Sequence, residues 1–134
     1  MNTSYFEKYF SLDGRKAVVT GASSGIGRAI AIALANFGAE VALLGRSQEG
    51  LSITHQAIVE SGGVCEDYTV DISDTGAQEA FFQEYMKKHG RMDIFIANAG
   101  INRRAELPDA SLEDIEALLK TNSARWKNGA FAIY

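Results

Sequence analysis

The residues best suited to chemistry form a glycine-rich stretch at positions 20–27, with the sequence Thr-Gly-Ala-Ser-Ser-Gly-Ile-Gly. Apolar runs at 17–19 and 29–35 flank it, so the pattern predicts a strand, a tight turn and the start of a helix. Gly21 would permit the turn, Gly25 would let backbone N–H groups approach a phosphate, and Gly27 would let the helix lie close to the sheet. The stretch therefore predicts a pyrophosphate site at a helix N-terminus.

The glycine spacing alone is weak evidence, because it reads G-x-x-x-G-x-G rather than the commoner G-x-G-x-x-G. An ordinary strand-to-helix turn is the alternative interpretation. The elements on either side of the turn favour the binding site.

Apolar runs and helical periodicities alternate four times along the chain. The predicted strands cover 17–19, 40–45, 64–70 and 92–97. The predicted helices cover 29–35, 48–61, 75–89 and a segment that begins at Ser111, and Ser47 is the predicted cap of the second. Strands that are apolar on both faces and alternate with helices indicate a parallel sheet. We therefore predict one α/β domain over residues 1–134, a partial Rossmann-type fold with strand order 3-2-1-4 and helices on both faces.

The composition limits the classes of partner. A formal net charge of −4 argues against nucleic acid or an anionic membrane as partner, whereas a small phosphate-bearing molecule needs only a local positive site. Cys65 is the only cysteine, which excludes an internal disulfide and indicates a reducing, cytoplasmic location; we expect it to be a partly buried, unreactive side chain. No metal ligands are predicted.

With its flanking elements, the stretch at 20–27 resembles the cofactor fingerprint of the classical short-chain dehydrogenase/reductase family. The resemblance extends over about residues 12–122 and includes Asn98-Ala99-Gly100, similar to the family's Asn-Asn-Ala-Gly element with Ala97 in place of the first Asn. It implies hydride transfer between a nicotinamide cofactor and a carbonyl or alcohol. The implied cofactor-binding residues are Gly21, Ser23, Ser24, Gly25, Ile26, Gly27, Asp71, Ile72, Asn98, Ala99 and Gly100.

Several of these roles have structural alternatives. Asp71, which the resemblance places against the adenine, could instead cap a helix or stabilise a loop, and Asn98 could belong to a plain strand-end turn. Asn122 matches the family's asparagine that holds a water in a proton relay, and it is the only catalytic residue implied here. It could equally be structural.

Arg46 decides the expected cofactor. Dinucleotide folds usually carry an acidic residue about 20 positions after the glycines to bind the ribose hydroxyls, and this chain has Gly45-Arg46 there. A guanidinium without a neighbouring carboxylate suits a 2′-phosphate, so we expect NADP(H), with NAD(H) as the alternative. A solvated surface arginine is the structural alternative.

The resemblance ends before the family's catalytic half. No tyrosine in the chain has a lysine four positions later, so the Tyr-x-x-x-Lys pair and the partner serine are not recognisable. A catalytically silent nucleotide-binding fragment is therefore the alternative function. Truncated before the later strands, the sheet would leave its fourth strand as an apolar edge, and we expect self-association there.

The substrate class is open. Ile101-Asn102-Arg103-Arg104 is similar to gluconate and deoxygluconate dehydrogenases, in which a basic loop could meet a carboxylate. The two arginines could also belong to a solvated loop. A 3-oxoacyl carrier-protein reductase is the rival substrate class.

Overall fold

The computed structural model describes residues 3–99 and 132–133, which form helices and strands in alternation. Their bounds are α1 Thr3–Phe10, β1 Lys16–Thr20, α2 Gly25–Asn36, β2 Glu40–Gly45, α3 Gln48–Glu60, β3 Val64–Thr69, α4 Thr75–His89, β4 Ile94–Ile96 and β5 Ala132–Ile133. The predicted helix that begins at Ser111 lies outside the described residues.

The strands form one parallel sheet in the order β3-β2-β1-β4-β5, which confirms the predicted order 3-2-1-4. β1 lies between β2 and β4, with Val18 opposite Ala42 on one side and Phe95 on the other. Its central position explains its composition, because a strand covered on both faces must be apolar at consecutive positions.

Two hydrophobic clusters, one on each face of the sheet, confirm the predicted helices on both faces. Alternate strand residues turn to opposite sides, so Ala17 and Val19 pack with α2 and α3, whereas Val18 packs with α4. Leu51 and Ile58 anchor α3 in the first cluster, and Phe81 and Tyr85 anchor α4 in the second. The core therefore forms two layers separated by the sheet.

Local capping sets the helix boundaries near the positions that the sequence predicts. The predicted cap Ser47 accepts a hydrogen bond of 3.0 Å from the backbone N–H of Gly50 at the start of α3. Asp74 accepts from the N–H groups of Gly76 and Ala77 at the start of α4. Gly90 ends α4 in the left-handed conformation, with φ of +75°.

The fourth strand is not the open edge that the sequence predicts. Phe95 and Ile96 of β4 pair in parallel register with Ala132 and Ile133 of β5, so the described sheet ends at β3 and β5. The pairing satisfies backbone N–H and C=O groups of β4 that would otherwise lack partners in the sheet. The sequence does not reveal β5 because a strand of two residues is too short to show an alternating pattern. Phe95 and Ile96 thus have strand partners on both sides, and self-association of the chain stays a prediction.

Helix α1 also differs from expectation, since the sequence predicts no element before β1. Its aromatic residues are spaced one helical turn apart: the rings of Tyr5 and Tyr9 lie 4.6 Å apart and those of Phe6 and Phe10 lie 5.0 Å apart. Among residues 3–99 and 132–133, no helix combines the length and apolar character needed to cross a membrane.

Candidate functional site

A cavity of about 430 Å³ opens at the carboxyl ends of the first four strands. It lies where the chain order of the sheet reverses between β1 and β4, the usual ligand position in open α/β sheets. Of the described residues expected to bind cofactor, all but Gly27 line this cavity: Gly21, Ser23, Ser24, Gly25, Ile26, Arg46, Asp71, Ile72, Asn98 and Ala99.

The glycines in the turn after β1 adopt positive φ angles, and Gly21 lets the turn lie close to the backbone of Ala99. Gly21 has φ of +66°, and a Cβ added there would lie 3.0 Å from the backbone of Ala99. Gly25 has φ of +55°, and a Cβ added there would meet nothing within 4 Å. Gly25 therefore leaves open space where α2 meets the cavity.

Gly27 lies behind the cavity rather than at its wall. A Cβ at this position would lie 2.0 Å from the carbonyl oxygen of Gly21 and 2.5 Å from Nδ2 of Asn98. Only a residue without a side chain lets the first turn of α2 lie so close to the ends of β1 and β4. Its role is to pack the helix against the strands.

The N-terminus of α2 presents backbone donors to the cavity. Ser24 occupies the N-cap in an extended conformation, and its side chain makes no capping hydrogen bond. Ser24, Gly25 and Ile26 all line the cavity, so the N–H groups of the first turn border it with the positive end of the helix dipole. This arrangement suits an anionic group.

Thr20 joins the ends of β1 and β4, a role that the sequence analysis missed. Its hydroxyl oxygen accepts hydrogen bonds of 3.0 Å from the backbone N–H groups of both Asn98 and Ala99. The Asn98 amide in turn donates to the carbonyl oxygen of Gly21 at 3.4 Å. Thr20 is the first residue of the glycine-rich stretch, and its position in that motif is the one sequence feature that could have indicated this role.

A second missed network holds the outer side of the turn. The Arg28 guanidinium donates to the carbonyl oxygens of Ser23 and Gly50, and its Nε donates to the Thr54 hydroxyl at 3.0 Å. Thr54 is fully buried and donates to the carbonyl oxygen of Ala22 at 2.7 Å. Thr54 lies 26 positions after Arg28 and 32 positions after Ala22. No local sequence pattern links residues at such separations.

Arg46 lies at the cavity wall directly after β2 and is exposed. It has no ion-pair partner among the described residues. Ser47, which the sequence predicts only as a helix cap, lines the same wall. Arg46 and Ser47 therefore bring a guanidinium and a hydroxyl to the lining of the cavity.

Asp71 and Ile72 line the cavity after β3. Asp71 Oδ1 accepts hydrogen bonds of 3.0 Å from the backbone N–H and 2.7 Å from the hydroxyl of Ser73, so the aspartate stabilises its own loop as well. Ile72 is buried and adds an apolar surface. Both interpretations of Asp71, loop residue and cavity residue, are compatible with this geometry.

Neither Tyr68 nor Tyr85 is prepared to act as a base. Burial raises the pKa of Tyr85 to about 12. Burial also raises the pKa of Tyr68, as does the hydrogen bond that its hydroxyl donates to Glu66 at 2.6 Å. A catalytic tyrosine needs the opposite shift, which a neighbouring cation supplies.

The Cys65 thiol is half-buried on β3 and does not line the cavity. Burial, followed by the charges of Asp67 and Glu66, raises the pKa of Cys65 to about 11. The free thiol is therefore protonated at neutral pH and a poor nucleophile. Gly100, Arg103, Arg104 and Asn122 lie outside the described residues.

The parallel sheet, its strand order and the glycine turn at the head of α2 define a protein of the dinucleotide-binding α/β class. The sequence profile of the short chain dehydrogenase family matches residues 15–129. The chain belongs to that family.

Individual relatives agree with this assignment. Gluconate 5-dehydrogenase from Gluconobacter oxydans is 41% identical over 113 residues, which cover 84% of this chain and 44% of that protein. A metagenomic short-chain oxidoreductase crystallised with NADP is 39% identical with a TM-score of 0.77, over 81% of this chain and 50% of the other.

The 3-oxoacyl (acyl-carrier-protein) reductase from Agrobacterium tumefaciens, solved with NADP bound, is 33% identical with a TM-score of 0.80, over 90% of this chain and 46% of the other. The chain thus spans about half the length of each of these three proteins.

Proposed function

We propose that this chain binds NADP(H) and forms the cofactor-binding part of an oxidoreductase that interconverts a carbonyl and an alcohol. The observation that carries the proposal is the N-terminus of α2, where an uncapped helix start and an open Gly25 border a cavity of about 430 Å³. Two NADP-bound relatives from the same family support it. When bound, the nicotinamide would supply or accept the hydride.

The residues around the cavity fit the parts of such a cofactor. The N–H groups of Gly25 and Ile26 suit the pyrophosphate, because the helix start needs a hydrogen-bond acceptor there. Asp71 and Ile72 offer a polar and an apolar contact for the adenine. Asn98 and Ala99 would border the nicotinamide ribose.

Arg46 favours NADP(H) over NAD(H). Its exposed guanidinium has no ion-pair partner among the described residues, and Ser47 beside it offers a hydroxyl. A charge-assisted hydrogen bond to a 2′-phosphate contributes about 1.5–3 kcal/mol, which NADH cannot gain.

Sugar acids are the substrate class that we favour. Support comes from the 41% identity to gluconate 5-dehydrogenase and from Arg103 and Arg104, whose guanidinium groups could bind a carboxylate. A 3-oxoacyl substrate is the rival class, supported by the similarity to the Agrobacterium reductase. We further propose a cytoplasmic location, which the single cysteine favours.

A catalytically silent nucleotide-binding module is the second candidate function. It is favoured by one specific observation: no tyrosine in the chain is followed at the fourth position by lysine. Without that cation a phenol near pKa 10 stays protonated at neutral pH. Asn122 would then be the only catalytic residue of the family pattern that is present.

The proposal is tested by titrating the 134-residue protein with NADPH and NADH while following cofactor fluorescence. We expect saturable binding of NADPH that is tighter than binding of NADH. Turnover is then measured on sugar acids, 3-oxoacyl thioesters and simple ketones. Binding without turnover would favour the silent module, and the absence of NADPH binding would reject both candidates.

A further inference from the structure

Three side chains with metal-binding atoms meet between α3 and β3, away from the cofactor cavity. His55 Nδ1, Cys65 Sγ and an oxygen of Asp67 all lie within 4.8 Å of one another. His55 Nδ1 is 2.8 Å from Asp67 Oδ1. None of the three lines the cavity, so this cluster is independent of the proposed function.

The backbone explains why these atoms converge. Cys65 and Asp67 are two positions apart on β3, opposite Val41 and Leu43 of β2, and alternate strand residues project from the same face. That face is covered by α3, which carries His55. Two residues of one strand and one residue of a helix thus supply the three ligand atoms, so all three come from rigid elements rather than from a loop.

We propose that His55, Cys65 and Asp67 bind a borderline transition-metal cation such as Zn²⁺. An imidazole nitrogen, a thiolate sulfur and a carboxylate oxygen are the three ligand types that Zn²⁺ accepts, whereas Mg²⁺ and Ca²⁺ prefer oxygen alone. The cation would take the place of the hydrogen bond between His55 and Asp67, with each side chain bonding to the metal instead. A water molecule completes the tetrahedron.

Exposure and charge suit a cation. The His55 and Asp67 side chains are 39% and 30% exposed, so an ion can enter from solvent. The carboxylates of Asp67 and the neighbouring Glu66 place negative charge near the Cys65 thiol. A divalent cation would neutralise that charge. On binding, the thiol proton passes to solvent and the sulfur–metal bond takes its place, with no change of oxidation state.

Cobalt(II) is the probe, because a thiolate ligand gives Co²⁺ a charge-transfer absorption that oxygen and nitrogen ligands lack. Titration of the reduced full chain is expected to give this band with saturation at about one equivalent of Co²⁺. Zn²⁺ should displace the Co²⁺, abolish the band and raise the melting temperature, because it binds only the folded state.

Variants assign the ligands. Cys65→Ser should lose the charge-transfer band, and His55→Gln and Asp67→Asn should each weaken Co²⁺ binding about tenfold or more. The matched control is His89→Gln, at the only other histidine, which is not part of the cluster. Circular dichroism of each variant checks that it folds.

Two results would overturn the proposal. One is the absence of a thiolate band in the folded, reduced wild type, which would leave His55 and Asp67 as a simple hydrogen-bonded pair. The other is a band that His55→Gln and Asp67→Asn leave as strong as in the wild type, which would exclude a three-residue site. NADPH binding is measured in the same samples and is expected to be unchanged by these variants.

Discussion

The buried hydroxyl of Thr54 donates a hydrogen bond of 2.7 Å to the carbonyl oxygen of Ala22, 32 residues earlier in the chain. The same hydroxyl accepts from Nε of Arg28 at 3.0 Å. Helix α3 therefore holds the outer side of the glycine turn, while Thr20 and Asn98 hold its inner side. The turn is supported from both directions before any ligand binds.

The first prediction concerns Thr54→Val, which keeps the side-chain shape and removes the hydroxyl. We expect the free energy of unfolding to fall by about 1–3 kcal/mol, because the Ala22 carbonyl and the Arg28 guanidinium each lose a buried partner. NADPH binding should weaken as well. Urea denaturation and cofactor titration measure the two effects, with exposed Thr69→Val as the matched control. Equal stability of the two variants would contradict the prediction.

Gly27→Ala tests the close contact between α2 and the strand ends. The new Cβ would lie 2.0 Å from the Gly21 carbonyl oxygen, so the helix start must move and the protein should lose about 1–3 kcal/mol of stability. We expect weaker NADPH binding because the same movement displaces the first-turn N–H groups.

Gly76→Ala is the control for that substitution, because Gly76 lies in the first turn of α4 and the nearest atom to its added Cβ is Asp74 Oδ1 at 3.3 Å. We expect it to be close to neutral in stability. If Gly27→Ala matched it in both measurements, close packing at Gly27 would be unimportant.

Arg46→Ala tests cofactor choice. Loss of the guanidinium should raise the Kd for NADPH about 10- to 100-fold, which corresponds to one charge-assisted hydrogen bond, and leave the Kd for NADH nearly unchanged. Lys87→Ala removes a positive charge from the exposed side of α4 and serves as control. A parallel weakening of NADPH and NADH would show that Arg46 does not contact the 2′-phosphate.

The Asp93 carboxylate should make the free energy of unfolding depend on pH in the acid range. The Lys16 backbone N–H donates to its Oδ2 at 2.8 Å, and with the Arg91 guanidinium this holds the pKa of Asp93 below its ordinary value of 3.8. The folded state therefore binds fewer protons than the unfolded state between these two pKa values. The stabilisation is present above about pH 4 and is lost as the pH falls through the folded pKa.

Melting temperatures of the wild type and Asp93→Asn between about pH 7 and pH 2.5 check this sign. We expect a constant difference near neutral pH that shrinks below about pH 4. Glu66 titrates in both proteins, so its contribution cancels in the difference. A difference that persisted unchanged to the lowest pH would contradict the role of the Asp93 charge.

Much of the fold could be predicted because its signals are local. The apolar residues 17–19 mark a strand covered on both faces, Ser47 marks a helix start, and Gly21 and Gly25 mark a turn with positive φ. Each signal depends on a residue and its immediate neighbours. The rules of parallel-sheet connection then bring the predicted residues of different strand ends to one cavity.

The remaining features depend on pairings between distant residues. Period and composition do not reveal that Thr54 meets Ala22, that Cys65 lies beside His55, or that Ile133 pairs with Ile96.

The sequence by itself therefore determined the class of fold, the strand order and the position of the glycine turn, because backbone preference and hydrophobic periodicity act over a few residues. The tertiary structure alone decided which side chains support that turn, which strand covers β4 and which donors converge on α3 and β3. Those contacts arise only when packing brings together residues far apart in the chain.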